Sequence, residues 1–136
     1  MKRFAVDTGP LVAFINRRDR FHKWARETLD GIEAPLFSCE PVLSEACFLL
    51  RHTAGGPEAI LDLVSRDLLR LDFQLIEHAT AVRKLVAKYR SVPMSLADAC
   101  LVRMVDLDAD LPVITLDSDF AIYRRLGRHP IATVSP

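Results

Sequence analysis

Four acids in this chain stand where an acid is hard to explain as ordinary surface chemistry. Asp7 follows the apolar run Phe4-Ala5-Val6 and precedes Thr8-Gly9-Pro10. Glu45 lies within VLSEACFLL, and Asp98 within MSLADACLV. Asp117 follows VITL, with Asp119 two residues later in TLDSDF. On helical spacing, the neighbours of Glu45 are Pro41, Val42, Phe48 and Leu49, and those of Asp98 are Met94, Ser95, Leu101 and Val102. No Lys or Arg occupies these positions, and a charge on such an apolar stripe is costly unless it is paired. Carboxylates held within ~5 Å of one another repel, so some take up protons unless a cation joins them. A hard divalent cation, Mg²⁺ or Mn²⁺, accepts oxygen ligands and keeps several waters. That leaves room for a phosphate oxygen and an attacking water, as metal-assisted phosphodiester hydrolysis requires.

Each acid also has a simpler reading. Ser95-x-x-Asp98 matches a loose capping box. Asp117 and Asp119 suit a turn. Glu45 could reach solvent past its neighbours, and Asp7 could cap the following helix, although Thr8 or Gly9 is better placed for that. The joint case is stronger than any member: two acids end strands, and two sit early in helices on inward-looking stripes.

Short strands are expected at residues 3–6 and in PLFSC, LLRLDF, PVITL and PIATV. The PVITL segment is the clearest, with proline at its edge and a β-branched centre. A helix is expected from Pro10, because proline is favoured at the first helical position. Another is expected over residues 19–29, where Phe21, Trp24, Ala25, Thr28 and Leu29 share a face. EPVLSEACFLLRHT, PEAILDLVSR, IEHATAVRKLVAKYR and SLADACLVRMVDL read as further helices, and FAIYRRL as one or two helical turns. Strands alternating with helices predict an α/β domain with a mainly parallel, roughly five-stranded sheet flanked by helices. Ligands of such sheets bind beyond the carboxyl ends of the strands, near the point where strand order reverses. Asp7 and Asp117 are both at that end.

A chain of 136 residues is expected to form one domain, residues 1–136. Its apolar content of 50% and charged content of 26% are those of a soluble globular protein. The formal net charge is zero, which removes any global signature of nucleic-acid binding. The charge is uneven: RRDRFHKWAR (17–26) and RRLGRH (124–129) are either solvated surface or local contacts for a polyanion. Cys39, Cys47 and Cys100 form no C-x-x-C and read as reduced thiols in a cytoplasmic protein. No apolar run is long enough for a membrane span or signal peptide.

VDTGPLVAFI, the helical Glu45, SLADAC and VITLDSDF resemble, in order and spacing, the PIN-domain ribonucleases, especially the VapC-like toxins of prokaryotic toxin–antitoxin pairs. The resemblance spans nearly the whole chain. It implies a PIN-like three-layer fold, a Mg²⁺- or Mn²⁺-dependent endoribonuclease activity on RNA, a homodimer and an antitoxin partner. It assigns the acids of the site to Asp7, Glu45, Asp98 and Asp117, with Asp119 close by, and flanking hydroxyls to Thr8 and Thr115. Many relatives carry Asn two residues beyond the first acid, where this chain has Gly9. The doubled acids of DSD leave the fourth position open between Asp117 and Asp119. An extended segment would point the two apart, and Asp117 is favoured as the residue immediately after the strand.

Two rivals remain. An aspartyl-phosphate phosphatase would use the first strand-end Asp as nucleophile, but that family expects a second Asp at position 9. A receiver domain would want a Lys after a late strand, and neither VITLDSDF nor PIATVSP supplies one. A PIN fold that docks a partner and has lost catalysis is the alternative outside the enzymes, and the full acid set argues against it.

Overall fold

Five two-residue strands pair in parallel in the computed structural model, which describes residues 2–136. They are β1 (Ala5–Val6), β2 (Leu36–Phe37), β3 (Leu69–Arg70), β4 (Val113–Ile114) and β7 (Thr133–Val134), in the order β3-β2-β1-β4-β7. Ala5 and Val6 are both 0% exposed, as are Val113 and Ile114. Successive strand residues point to opposite faces, so the sheet is covered on both sides. That is why these strands read as continuous apolar runs rather than as alternation. The cover comes from α1 (Thr8–Ile15), α2 (His22–Asp30), α3 (Glu40–Leu49), α4 (Gly56–Ser65), α5 (Leu75–Lys88) and α6 (Leu96–Leu107). The expected α/β architecture is therefore present.

From β1 the chain builds outward through β2 and β3, then returns to place β4 on the other side of β1. Strand order thus reverses between β1 and β4, and the crevice beyond their carboxyl ends is where a ligand of such a sheet sits. The register pairs Ala5 with Val113 and Val6 with Ile114. The residues just past each strand are brought side by side.

Several boundaries differ from the sequence expectations, each for a local reason. Helix α1 begins at Thr8 rather than Pro10 because Asp7 is its N-cap, accepting a hydrogen bond from the Thr8 N–H at 2.8 Å. Helix α2 begins at His22 rather than Asp19, because the Asp19 carboxylate takes the Phe21 N–H at 2.8 Å and holds a turn. FAIYRRL does not continue as helix. A short 3₁₀ turn covers Ser118–Ala121, and β5 (Arg124–Arg125) then pairs antiparallel with β6 (His129–Pro130). Leu126 and Gly127, at φ 51° and 72°, make the reversal. The last parallel strand is confined to Thr133–Val134, so PIATV is strand only in part.

Cys39 and Cys100 are buried, Cys47 is half-buried, and all three are free thiols. Phe14 and Trp24, apolar side chains of the early helices that would suit a dimer contact if exposed, are half-buried against the core. The exposed large apolar side chains lie elsewhere, among them Phe48 and Leu49 on α3 and Ile76 on α5. No helix among the described residues is long and apolar enough to cross a membrane.

Candidate metal centre and active site

The parallel register carries Asp7 and Thr115 to the same level, one residue past the paired Val6 and Ile114. The Thr115 hydroxyl donates to Oδ2 of Asp7 at 2.8 Å and accepts from the Asp117 N–H at 2.9 Å. Oδ1 of Asp7 holds the Thr8 N–H. Both oxygens are therefore anchored, and the side chain is 5% exposed. Burial pushes the Asp7 carboxyl up to about 6; the Thr115 and Thr8 hydrogen bonds pull against this, and the Asp98 and Asp117 charges add to it.

Asp98 enters from α6. Its N–H donates to the Ser95 hydroxyl at 3.0 Å, and the Ser95 N–H returns to Oδ2 of Asp98 at 3.3 Å, completing a capping box. The Tyr123 hydroxyl also donates to that Oδ2, at 3.0 Å. Asp98 is 8% exposed. Its carboxyl is raised above the usual range by desolvation first, with the Asp117 charge adding to the rise.

Asp117 caps the 3₁₀ turn by accepting the Asp119 N–H on Oδ1 at 2.9 Å. The DSD segment is thus a turn and not the extended stretch expected, because the Asp117 side chain closes it. One carboxylate oxygen from each of Asp7, Asp98 and Asp117 lies within 4.8 Å of the others. Asp119 lines the same open cleft without joining that cluster.

Glu45 is placed differently from expectation. It is exposed, not inward-looking, because Phe48 and Leu49 beside it are themselves 61% and 57% exposed. It nevertheless borders the cleft, and its Oε2 accepts the Thr8 hydroxyl at 3.0 Å. The hydroxyls of Thr8 and Thr115 therefore each hold a different acid. Gly9 packs against Leu116: a Cβ there would lie 3.2 Å from the Leu116 Cβ, so an Asn at this position would need Leu116 to shift. The Asp7 carboxylate takes its hydrogen bonds from Thr8 and Thr115 instead.

Sequence reasoning missed Tyr123. Nothing marks it as polar machinery, since it falls in a segment read as helix. Burial pushes its hydroxyl well above the usual tyrosine range, so it stays protonated and donates.

The acid cluster tests well as a cation site. Three carboxylates converge, and no Lys or Arg forms an ion pair with any of them among the described residues. An all-oxygen donor set with no such ion pair suits a hard divalent cation.

The basic segments divide into structural and free cations. Arg125 donates to the Val105 carbonyl at 3.0 Å, and Arg124 to the Ala121 carbonyl at 2.8 Å. These two guanidiniums are engaged in local structure; Arg125 donates to the carbonyl end of α6. Lys23 and Arg26 pair with Glu27 and Asp30. Arg17, Arg18 and Arg128 are exposed and form no ion pair among the described residues.

The class this defines is an α/β domain with a parallel sheet whose switch point gathers aspartates from the end of β1, from α6 and from the turn after β4. The model of the PIN domain matches residues 4–126, and the chain belongs to the PIN-domain family. No curated protein matches the sequence significantly. Among solved structures, the VapC20 toxin of Mycobacterium tuberculosis, described as a sarcin-ricin loop cleaving toxin, is similar with a TM-score of 0.78. The match covers 88% of this chain and 93% of that one at 17% identity, a likeness of fold.

Proposed function

We propose that this protein is a Mg²⁺- or Mn²⁺-dependent endoribonuclease and the toxin of a toxin–antitoxin pair. The observation that carries the nuclease reading is the convergence of Asp7, Asp98 and Asp117 from three chain segments, with no Lys or Arg ion-paired to them among the described residues. The toxin reading rests on the resemblance in sequence motifs and the fold shared with VapC20. A homodimer and a cognate antitoxin belong to the same reading.

Asp7, Asp98 and Asp117 would hold the cation, with Glu45 and Asp119 at the rim of the cleft. When bound, the cation polarises a phosphoryl oxygen and makes water a stronger nucleophile. The protein's own part is preorganisation. Thr115 fixes Asp7 and the Asp117 backbone together. The capping box and Tyr123 fix Asp98. Glu45 uses Oε2 for Thr8, which leaves Oε1 to orient a water at the open side of the cleft. Arg17, Arg18 and Arg128, exposed and outside the cleft itself, would contact flanking RNA backbone without reading bases.

The test is calorimetric titration with Mn²⁺ alongside cleavage of a structured and an unstructured RNA. Metal binding with metal-dependent cleavage, both lost in Asp117→Asn, is the expected result. Metal binding without cleavage of any RNA would favour a PIN fold that docks a partner. Absence of metal binding would overturn the nuclease reading.

A further inference from the structure

Tyr123 is 0% exposed, yet its hydroxyl ends on a carboxylate. It donates to Oδ2 of Asp98, the same oxygen that accepts the Ser95 N–H. Oδ2 is thus held from two directions, while Oδ1 has no hydrogen-bond partner among the described residues. A carboxylate pinned by one oxygen cannot rotate, so the orientation of the other is set.

The rest of Tyr123 packs against the turn that Asp117 caps. Its N–H donates to the Asp119 carbonyl at 3.2 Å, inside the turn that Asp117 caps. Its ring meets Phe120 of that turn edge-on, with centroids 5.2 Å apart, and Phe120 is 1% exposed. Tyr89 packs edge-on from the other side at 5.0 Å, and its hydroxyl accepts the Arg124 N–H at 3.0 Å. One buried side chain therefore touches α6 through its hydroxyl and the Asp117 turn through its ring and backbone.

We propose that Tyr123 is a positioning residue that presents Oδ1 of Asp98 to the cation site and sets the spacing between Asp98 and the turn bearing Asp117. The inference rests on the metal-dependent reading above. Groups that hydrogen-bond a metal ligand typically matter by ~10–100-fold in metal affinity. Tyr123→Phe removes the hydroxyl and keeps the ring between Tyr89 and Phe120. Loss of a donor by itself makes a carboxylate a better cation ligand, so weaker binding reports lost orientation rather than lost charge.

The experiment is calorimetric titration of Mn²⁺ into wild type, Tyr123→Phe, Asp98→Asn and the double variant, with circular dichroism confirming each fold. Tyr123→Phe is expected to weaken Mn²⁺ binding by about 10-fold or more. In the Asp98→Asn background, titrated at Mn²⁺ concentrations high enough to read its weakened binding, the same change is expected to cost nothing further, because the oriented carboxylate is already gone. If wild type and Tyr123→Phe bind Mn²⁺ equally, the positioning role is overturned and the nuclease reading stands. Equal losses from Tyr123→Phe in both backgrounds would also overturn it, by showing that the effect does not pass through Asp98. If wild type binds no Mn²⁺, the metal-dependent reading itself has failed.

Discussion

Thr115 donates its hydroxyl to Asp7 across 2.8 Å, from the end of one parallel strand to the end of its neighbour. The same hydroxyl accepts the Asp117 N–H at 2.9 Å. Thr115→Val would leave a buried carboxylate oxygen and a backbone donor without their shared partner. The expected loss of stability is about 1–3 kcal/mol by chemical denaturation, with Thr115→Ser recovering most of it. A valine variant as stable as wild type would show that the bridge contributes nothing.

Asp7 gives a pH dependence with a definite sign. Its folded-state carboxyl titrates at about 6 against an ordinary 3.8. Below pH 3.8 the group is protonated in both the folded and unfolded states, and its burial costs nothing extra. As pH rises towards 6 the unfolded chain releases its proton first, and the metal-free fold loses stability until a plateau above that value. Asp7→Asn removes this loss. The stability of the variant relative to wild type is expected to grow between pH 4 and 7 by on the order of 2–3 kcal/mol, measured in EDTA. A difference independent of pH would contradict it.

Divalent metal should reverse the same cost. At neutral pH, Mg²⁺ or Mn²⁺ at about 100 times its Kd is expected to stabilise the fold by about 2.7 kcal/mol. Asp98→Asn keeps an oxygen able to accept from Ser95 and Tyr123, so the metal-free variant should stay within about 1 kcal/mol of wild type. Its metal-dependent rise in Tm should be largely lost. Full retention of that rise would leave Asp98 as a helix cap and nothing more.

Glu45 and Asp117 should differ in rank. Glu45 is exposed and outside the carboxylate cluster, whereas Asp117 is a member of it. Glu45→Gln is expected to preserve the fold and to weaken metal binding less than Asp117→Asn does. RNA cleavage should nevertheless fall in both. The reverse order of metal affinities would place the cation nearer α3 than the cluster indicates.

The arginines of the β5–β6 hairpin should separate by role. Arg125→Ala removes one of the two donors to the Val105 carbonyl at the end of α6, leaving the Asp108 N–H at 3.2 Å, and is expected to lower Tm slightly with little effect on RNA binding at fixed salt. Arg128→Ala should leave Tm unchanged and weaken RNA binding uniformly across sequences. Equal loss of RNA affinity in both would show that Arg125 also meets the backbone of the substrate.

The sequence alone determined which residue types were available and which segments they ended. VITL and the apolar run before Asp7 read as strands, and an acid at the carboxyl end of each was legible from spacing. So was the pairing of Ser95 with Asp98, because a capping box is local over three residues. Tertiary structure decided what local spacing cannot carry. The register of β1 with β4 is long-range, and it alone brings Thr115 onto Asp7. The capping and cation readings of Asp98 also proved compatible: one oxygen closes the box and the other is left over, a division no periodicity reveals. Glu45 looked inward because a helical stripe reports which neighbours are apolar, and not whether anything packs upon them. Tyr123 was invisible for a related reason. A buried aromatic and a hydrogen-bond donor to an acid 25 residues away are the same letter in a sequence, and only the folded chain distinguishes them.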